Sequence, residues 1–388
     1  MFNIIAHPLM KFSLLMINIE NINLLILVVF AVCGAIQLFY YLFVYSRLVF
    51  QKKEVFEKSS VPVSIVICAK NEAENLEKYL PIVLEQDYPD YEVVVVNDCS
   101  EDETEDVLKR LMQIYPHLRT TFIKEDEKFR HGKKLALTVG IKSAKNEWLL
   151  LTDADCFPQS NQWLASMSDK FTDDISIVLG YGGYYEKPGL LNMIIRYDTA
   201  IIALQYLSFA LIRRPYMGVG RNLAYRKSLF FANKGFATHA RLESGDDDLF
   251  INEVATRNNV KIQPFAEAHT RSKPKDSFEK WKDQKSRHFT TYSRYKLSHK
   301  LLLGAEAFSR VVFYFTFIAL LILNNFWIAA VSIFFVRFIS QLIVLKKCFK
   351  LLNERNLFII SPLFDFVFPF IHLGIYLSNA IRPRKQWR

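Results

Sequence analysis

Cysteine is scarce in this chain of 388 residues. The five (Cys33, Cys68, Cys99, Cys156 and Cys348) show no metal-binding or redox spacing. A disulfide framework and a cysteine metal cage are therefore excluded, and the odd count points to free thiols in a cytoplasmic compartment. No compact basic motif with interleaved aromatics is present, so the net charge of +10 argues for phosphates and anionic headgroups rather than nucleic acid. Internal repeats and low-complexity linkers are absent. Charge is missing altogether from Asn21 to Ser46. That run is long enough to cross a hydrocarbon core of roughly 30 Å. It lacks a small-residue cleavage site and is followed by Arg47, Lys52 and Lys53, so an uncleaved span with its C-terminal end in the cytoplasm is expected.

What the chain does hold is apolar character at both ends, with 51% hydrophobic residues and 33 Phe. Between Leu301 and Leu345 the only charges are Glu306, Arg310 and Arg337. We read a hairpin of two spans, about 302–323 and 326–345, turning at Asn324-Asn325, with Lys346, Lys347 and Lys350 back inside. A third segment, 357–381, is interrupted by Pro362, Asp365, Pro369 and His372. It either spans, leaving Arg382, Arg384, Lys385 and Arg388 outside, or lies re-entrant or in the interface. The expected domains are 1–58 with one span at about 22–46, a charged cytoplasmic domain over 59–300, and a membrane region over 301–388.

In the middle domain, apolar runs alternate with helix-length periodic segments. Strands are predicted at Val63–Cys68, Glu92–Val96, Thr120–Ile123 and Trp148–Thr152, with helices at Ala73–Glu85, Glu103–Leu111 and Lys133–Ser143. This alternation predicts an α/β domain, a doubly wound, mostly parallel sheet, with transmembrane helices at both ends. Ligands of such sheets bind beyond the carboxyl ends of strands. Each predicted end is polar: Lys70-Asn71-Glu72, Asn97-Asp98-Cys99-Ser100, and Asp153 with Asp155 after Leu149-Leu150-Leu151-Thr152. Two carboxylates one residue apart at such an edge suit Mg²⁺ or Mn²⁺ together with substrate phosphates. Alone, such a pair is as readily a strand-closing turn.

The segment Val63–Glu72, the turn Gln86-Asp87-Tyr88-Pro89, the N-D-x-S-x-D-x-T run from Asn97 to Thr104 and the D-x-D of Asp153 and Asp155 together resemble glycosyltransferase family 2. The resemblance runs from about Pro62 to Tyr295 and implies a GT-A fold and a nucleotide-diphosphate sugar donor, UDP-sugars first among them. It implies that Asp98 accepts from the base or ribose, and that Lys70, Asn71 and Glu72 line the nucleotide site. Lys133, opening the G-K-x-x-A-L helix, would face the diphosphate, and Asp153 and Asp155 would hold diphosphate and metal. The loop Met217–Lys227, with Gly220 and Asn222, is similar to the acceptor-side loop of these enzymes. Leu190–Ile212 before it is apolar, but Arg196 and Asp198 within it favour an acceptor-side or membrane-surface helix.

Ser244-Gly245-Asp246-Asp247-Asp248 is similar to the family's G-[ED]-D motif, which implies that Asp247, or its neighbour Asp246, takes the proton from the acceptor hydroxyl in an inverting transfer. Gln284-Lys285-Ser286-Arg287-His288 resembles the Q-x-x-R-W motif of membrane-integrated polysaccharide synthases. Gln284 and Arg287 would contact the donor, and His288 replaces the acceptor-stacking Trp. The expectation is a membrane-anchored, non-processive glycosyltransferase of the inner membrane, making a cell-surface glycan or glycolipid on a lipid or glycan acceptor. Transfer to a polyprenyl phosphate and a metal-dependent nucleotidyltransferase are the alternatives, together with a non-catalytic membrane scaffold that would need no metal.

Overall fold

Successive β-branched residues build the centre of the sheet. In β1 (Val63–Ala69), Ile65 and Ile67 point into one buried layer while Val66 points into the other, the period-2 alternation of a strand covered on both faces. A computed structural model describes residues 6–53, 59–124, 132–242 and 244–381. The other strands are β2 (Tyr91–Asp98), β3 (Leu118–Ile123), β4 (Trp148–Leu151), β5 (Cys156–Pro158), β6 (Ile177–Gly180), β7 (Gly182–Tyr184), β8 (Leu223–Arg226), β9 (Val260–Gln263) and β10 (Thr270–Ser272). Seven form one sheet in the order β3-β2-β1-β4-β8-β6-β9, parallel except for β8, which runs antiparallel between β4 and β6. The remaining three form a small sheet, β5-β10-β7, beside its edge.

At the N-terminus a continuous helical run comprises α1 (Ala6–Phe39), a π-helical turn (Tyr40–Tyr45) and α2 (Ser46–Val49). The crossover helices are α3 (Ala73–Leu84), α4 (Thr104–Ile114) and α5 (Lys133–Ser143), followed by α6 (Trp163–Ser168). Next come α7 (Leu190–Leu211), α8 (Lys227–Ala232), α9 (Asp248–Val254) and α10 (Phe278–Tyr292). The chain closes with α11 (Leu297–Ile322), α12 (Trp327–Leu351) and α13 (Ser361–Ile381). Helices α3, α4 and α6 share one core layer, and α5, α7 and α9 share the other. Gly140 lets α5 lie close on the sheet, since a Cβ there would meet Val66 at 2.6 Å and Val96 at 2.9 Å. The helix placement thus holds Lys133, at the first turn of α5, over the strand ends.

Among the described residues, five helical stretches are long and apolar enough to cross a membrane: Asn21–Val49, Leu190–Leu211, Leu297–Ile322, Trp327–Leu351 and Ser361–Asn379. Burial separates one from the rest, because 67% of the apolar window of α7 is buried against 28% in each of the others. Helix α7 is a core helix; its apolar character serves packing, with Tyr206 donating to Gly180 O and Phe209 stacked near Tyr40. The α11–α12 turn falls at Asn324-Asn325, where Asn324 and Phe326 take left-handed φ of 52° and 56°. Two sequence expectations change. The boundary at 300/301 falls inside α11, which starts at Leu297 because the polar turn Leu297–Lys300 continues the helix. The third segment, expected over 357–381, is helical from Ser361 as α13, with Pro362 tolerated in its first turn and Pro369 inside it. Arg382, Arg384, Lys385 and Arg388 lie outside the described residues.

Two buried ionic nodes join these parts. Arg337 donates to Asp365 at 2.7 Å, to Tyr314 at 3.1 Å and to Gln37 at 3.2 Å, linking α12, α13, α11 and α1. Unpaired charge among apolar helices is costly, so such groups pair with one another. Glu354, fully buried after α12, accepts from Arg196 Nε at 2.7 Å, from Tyr181 at 3.0 Å and from Arg271. The C-terminal helices are thereby fastened to the sheet domain.

Candidate active site

The carboxyl ends of β1, β2 and β4 open on one cavity of about 2270 Å³, lined by Lys70, Asn71, Glu72, Asp98, Asp153 and Asp155. Asn71 and Glu72 serve partly as braces. The Asn71 N–H donates to Ser100 Oγ at 2.9 Å, its Oδ1 accepts from the Glu101 N–H at 2.8 Å, and the Glu72 N–H donates to Thr104 Oγ1 at 3.0 Å. Ser100 therefore ties two strand ends together instead of capping α4. Asp98 is buried in the cavity wall.

Lys133 reaches across from α5. Its Nζ lies 2.8 Å from Asp153 Oδ1 and 3.1 Å from Asp246 Oδ2. Enclosure would depress the ammonium, but Asp153, Asp246 and Asp247 outweigh it and hold the group well above its usual range. Asp246 is correspondingly lowered by Lys133 against the cost of its burial. Asp247 has the opposite fate. Burial, then Asp246 and Asp248, push its carboxyl up to about 7. Both its oxygens are aimed: Oδ2 accepts from the Gly220 N–H at 2.8 Å, and Oδ1 from the Asp248 N–H at 2.7 Å as it caps α9. Asp248 turns away, accepting from Tyr295 at 2.7 Å and from Thr291. Three consecutive carboxylates thus have three environments, and divergent environments separate acid–base roles.

Asp153 and Asp155, with Cys156, present ligand atoms within 4.8 Å of one another. Burial and the neighbouring Asp153 raise Asp155, so a cation there would relieve like-charge repulsion. Two hard carboxylates fit Mg²⁺ or Mn²⁺, and the Cys156 thiol, raised by burial and by Asp155, is held protonated.

Helix α10 supplies the opposite wall. Gln284, Arg287 and His288 all line the cavity, and Gln284 Nε2 donates to Tyr184 at 3.2 Å. His288 faces the cavity, where enclosure and the cations Lys285, Arg287 and Arg221 push its imidazole down to about 3. Lys285 turns inward to pair with buried Asp198. Gly220 lies where expected, in the loop against Asp247. Asn222 does not: it is fully buried, donating to Ala268 O at 2.6 Å and Tyr181 O at 3.0 Å and accepting from Trp163 at 3.0 Å. An amide with all these partners is a structural knot joining both sheets, so its expected acceptor-side role is withdrawn.

Two residues escaped the sequence reading. Arg221, one position after Gly220, lies over the Tyr184 ring at 4.3 Å, and both line the cavity that holds Asp153 and Asp155. Lys134 donates to the carbonyls of His239, Leu242 and Ser244 at 2.7, 3.0 and 2.8 Å, fixing the loop that leads to Asp246. The doubled lysine after Gly132 was its only signal.

Residues 64–231 match the model of "Glycosyl transferase family 2". Asp246–Asp248 and α10 lie beyond that match. Glycosyltransferase AglE of Haloferax volcanii is 38% identical over 109 residues, 27% of this chain and 34% of that protein. A poly-beta-1,6-N-acetyl-D-glucosamine synthase of Staphylococcus epidermidis is 30% identical over 120 residues, 30% of this chain and 27% of the synthase. The chain thus spans about a third or less of the length of these relatives. The mannosyltransferase PcManGT of Pyrobaculum calidifontis, solved with GDP-Man and Mn²⁺, superposes with a TM-score of 0.54 at 19% identity, covering 88% of this chain and 98% of that one. The match thus places a glycosyltransferase domain similar to glycosyl transferase family 2 within this chain, and the fold is of GT-A type.

Proposed function

We propose that this chain is a membrane-bound, inverting glycosyltransferase that moves a sugar from a nucleotide-diphosphate donor to a hydroxyl acceptor. The observation that carries this is the Asp247 carboxyl, poised at about 7 in the cavity and aimed by two backbone N–H groups. A general base works best with its pKa near the operating pH. Asp247 takes the acceptor proton as the hydroxyl oxygen attacks the anomeric carbon. The bond from that carbon to the diphosphate breaks on the opposite face, and the nucleoside diphosphate leaves with the electron pair. Lys133, Arg221 and Arg287 bind and orient the diphosphate. Asp153 and Asp155 would hold Mg²⁺ or Mn²⁺, which when bound neutralises charge on the departing group.

UDP-sugars are the first donors to test, and GDP-mannose the second, since the fold neighbour holds it. A panel of nucleotide sugars, with membranes as acceptor source, should release a nucleoside diphosphate and give a product of inverted anomeric configuration by NMR. Release of pyrophosphate, or retention of configuration, would overturn the reading. The catalytic domain is assigned to the cytoplasmic face of the inner membrane by Arg47, Lys52 and Lys53 after the first span and Lys346, Lys347 and Lys350 after the hairpin. A cysteine at Ser59 should react with a membrane-impermeant thiol reagent only after permeabilisation; labelling in intact cells would reverse the orientation.

A further inference from the structure

The cavity is larger than a donor needs. Its volume of about 2270 Å³ is more than twice the roughly 300–1,000 Å³ of ordinary ligand pockets. The surplus lies away from the strand ends. Past Asp247, Thr291 and Tyr292 the cavity continues between α11 and α13, walled by Leu303, Ala307 and Val311 on one side and Phe368, Leu373 and Tyr376 on the other. Deeper along the helices the gap is closed: Tyr314 bonds Asp365, Arg310 pairs with Asp365 at 3.3 Å, and Phe315 meets Phe370 edge-on at 5.7 Å. At the outer end it is open. Phe308, which lines the cavity, is 70% exposed, and Tyr376 is 56% exposed. Pro369, which also lines the arm, removes one helical hydrogen bond from the α13 wall.

An apolar arm continuous with a sugar-transfer site, and opening sideways between two helices of membrane-spanning composition, suits one occupant. We propose that the arm between α11 and α13 houses the hydrocarbon tail of a lipid-linked hydroxyl acceptor, admitted laterally from the bilayer, with its headgroup presented to Asp247. This rests on the glycosyltransferase reading and names its acceptor class. Polar side chains stand at the two ends and the middle of the arm, with apolar walls between them. Arg287 and His288 line the donor end, and His372, bonded to Asp198 at 3.0 Å, lines the middle. Glu306 and Arg310, already paired with each other, mark the closed floor. A free glycan chain would find few hydrogen-bond partners along Leu303, Ala307 and Leu373.

The test uses the full chain in phosphatidylethanolamine–phosphatidylglycerol nanodiscs, with a diazirine-bearing sixteen-carbon alcohol as photoprobe. Crosslinks should map to the Leu303–Val311 and Phe368–Tyr376 segments. Ala307→Trp and, independently, Leu373→Trp should cut them at least fivefold, while labelling of outward-facing Ile328 and Phe335 on α12 persists. In the same nanodiscs, loaded with total membrane lipid and a panel of radiolabelled nucleotide sugars, label should enter the solvent-extractable fraction and fall at least tenfold in both variants. Unchanged crosslinking in both variants, or label only in water-soluble product, would overturn the proposal and leave the transferase standing. Mn²⁺-dependent UDP and GDP binding, measured by calorimetry, serves as the folding control. If wild-type protein binds neither nucleotide, the donor-site reading fails, whatever the arm holds.

Discussion

Two kinds of buried charge occur in this molecule, and their balance differs. Around Glu354 the charges match, with Arg196 and Arg271 set against Glu354 and Glu186. Around Asp365 they match again, with Arg310 and Arg337 set against Glu306 and Asp365. At the strand ends they do not. Asp153, Asp155, Asp246, Asp247 and Asp248 crowd round Lys133 and Arg221, and all five acids line the open cavity, with Arg287 across it. A balanced cluster needs nothing further and acts as a fastening. An unbalanced one that opens on a cavity is unfinished without a ligand, which is why perturbed groups in clefts mark function.

The sharpest way to break this comparison is Asp247→Asn. Loss of a general base typically costs about 10²–10⁴-fold, so transfer to a hydroxyl should fall by that factor, while a phosphate acceptor would be largely spared. The wild-type rate should rise as pH climbs through about 7, when Asp247 ionises, and the variant's profile should be flat over that window. Stability should move the other way. Because the folded carboxyl sits at about 7 rather than 3.8, the folded state holds a proton that the unfolded chain releases. Its contribution therefore favours folding below 3.8 and is lost as pH rises through 7. At pH 8 the Asn variant should be at least as heat-stable as wild type. A large drop in Tm would put Asp247 among the fastenings.

Glu354→Gln should invert that pattern. Removing one partner of a buried ionic group typically costs about 3–5 kcal/mol, here leaving Arg196 and Arg271 facing each other. Tm should fall by several degrees, with metal-dependent nucleotide binding retained in the protein that remains folded. Wild-type stability with lost nucleotide binding would make Glu354 a member of the site. Asp155→Ala comes next. Losing an electrostatic group opposite developing charge typically costs about 10²–10³-fold, so transfer should drop at least that far while the protein stays in the membrane. Near-normal turnover at saturating donor would remove Asp155 from the metal site.

The sequence made the unbalanced cluster legible and hid the balanced ones. Polar residues at the ends of Val63–Ala69, Tyr91–Asp98 and Trp148–Leu151 stand out against apolar runs, so Asp98, Asp153 and Asp155 were visible at once. Glu354 is a single acid in a short turn with no periodic context; its partners lie 83 and 158 residues away, and only the fold brings them together. The same blindness misplaced Asn222. Beside Gly220 it reads as a polar contact for substrate, yet just before β8 it is buried, and Tyr181, Ala268 and Trp163 consume its amide. Helix α7 misleads in the other direction. Its hydropathy resembles that of a membrane span, and only Arg196 and Asp198 in its interior signal that it is surrounded by protein.

The smallest expected effect concerns His288, which lies at the meeting point of the donor site and the apolar arm. Its imidazole, held down at about 3, is neutral throughout the working range, so it offers a flat polar face rather than a charge. An aromatic contact contributes about 0.5–1.5 kcal/mol beyond burial, and the indole is the larger surface. His288→Trp should therefore tighten the acceptor by roughly 2–10-fold in KM, at nearly constant kcat. Wild-type product should stay short, at one or a few sugars, because the platform that would hold a growing chain is small and the arm below it is apolar. Sizing the products after long incubation with excess donor decides the matter. A high-molecular-weight ladder from the purified wild-type protein would show that the imidazole grips the chain well enough for polymerisation. Short products from both proteins, with only KM changed, would show that His288 tunes acceptor affinity while the arm limits product length.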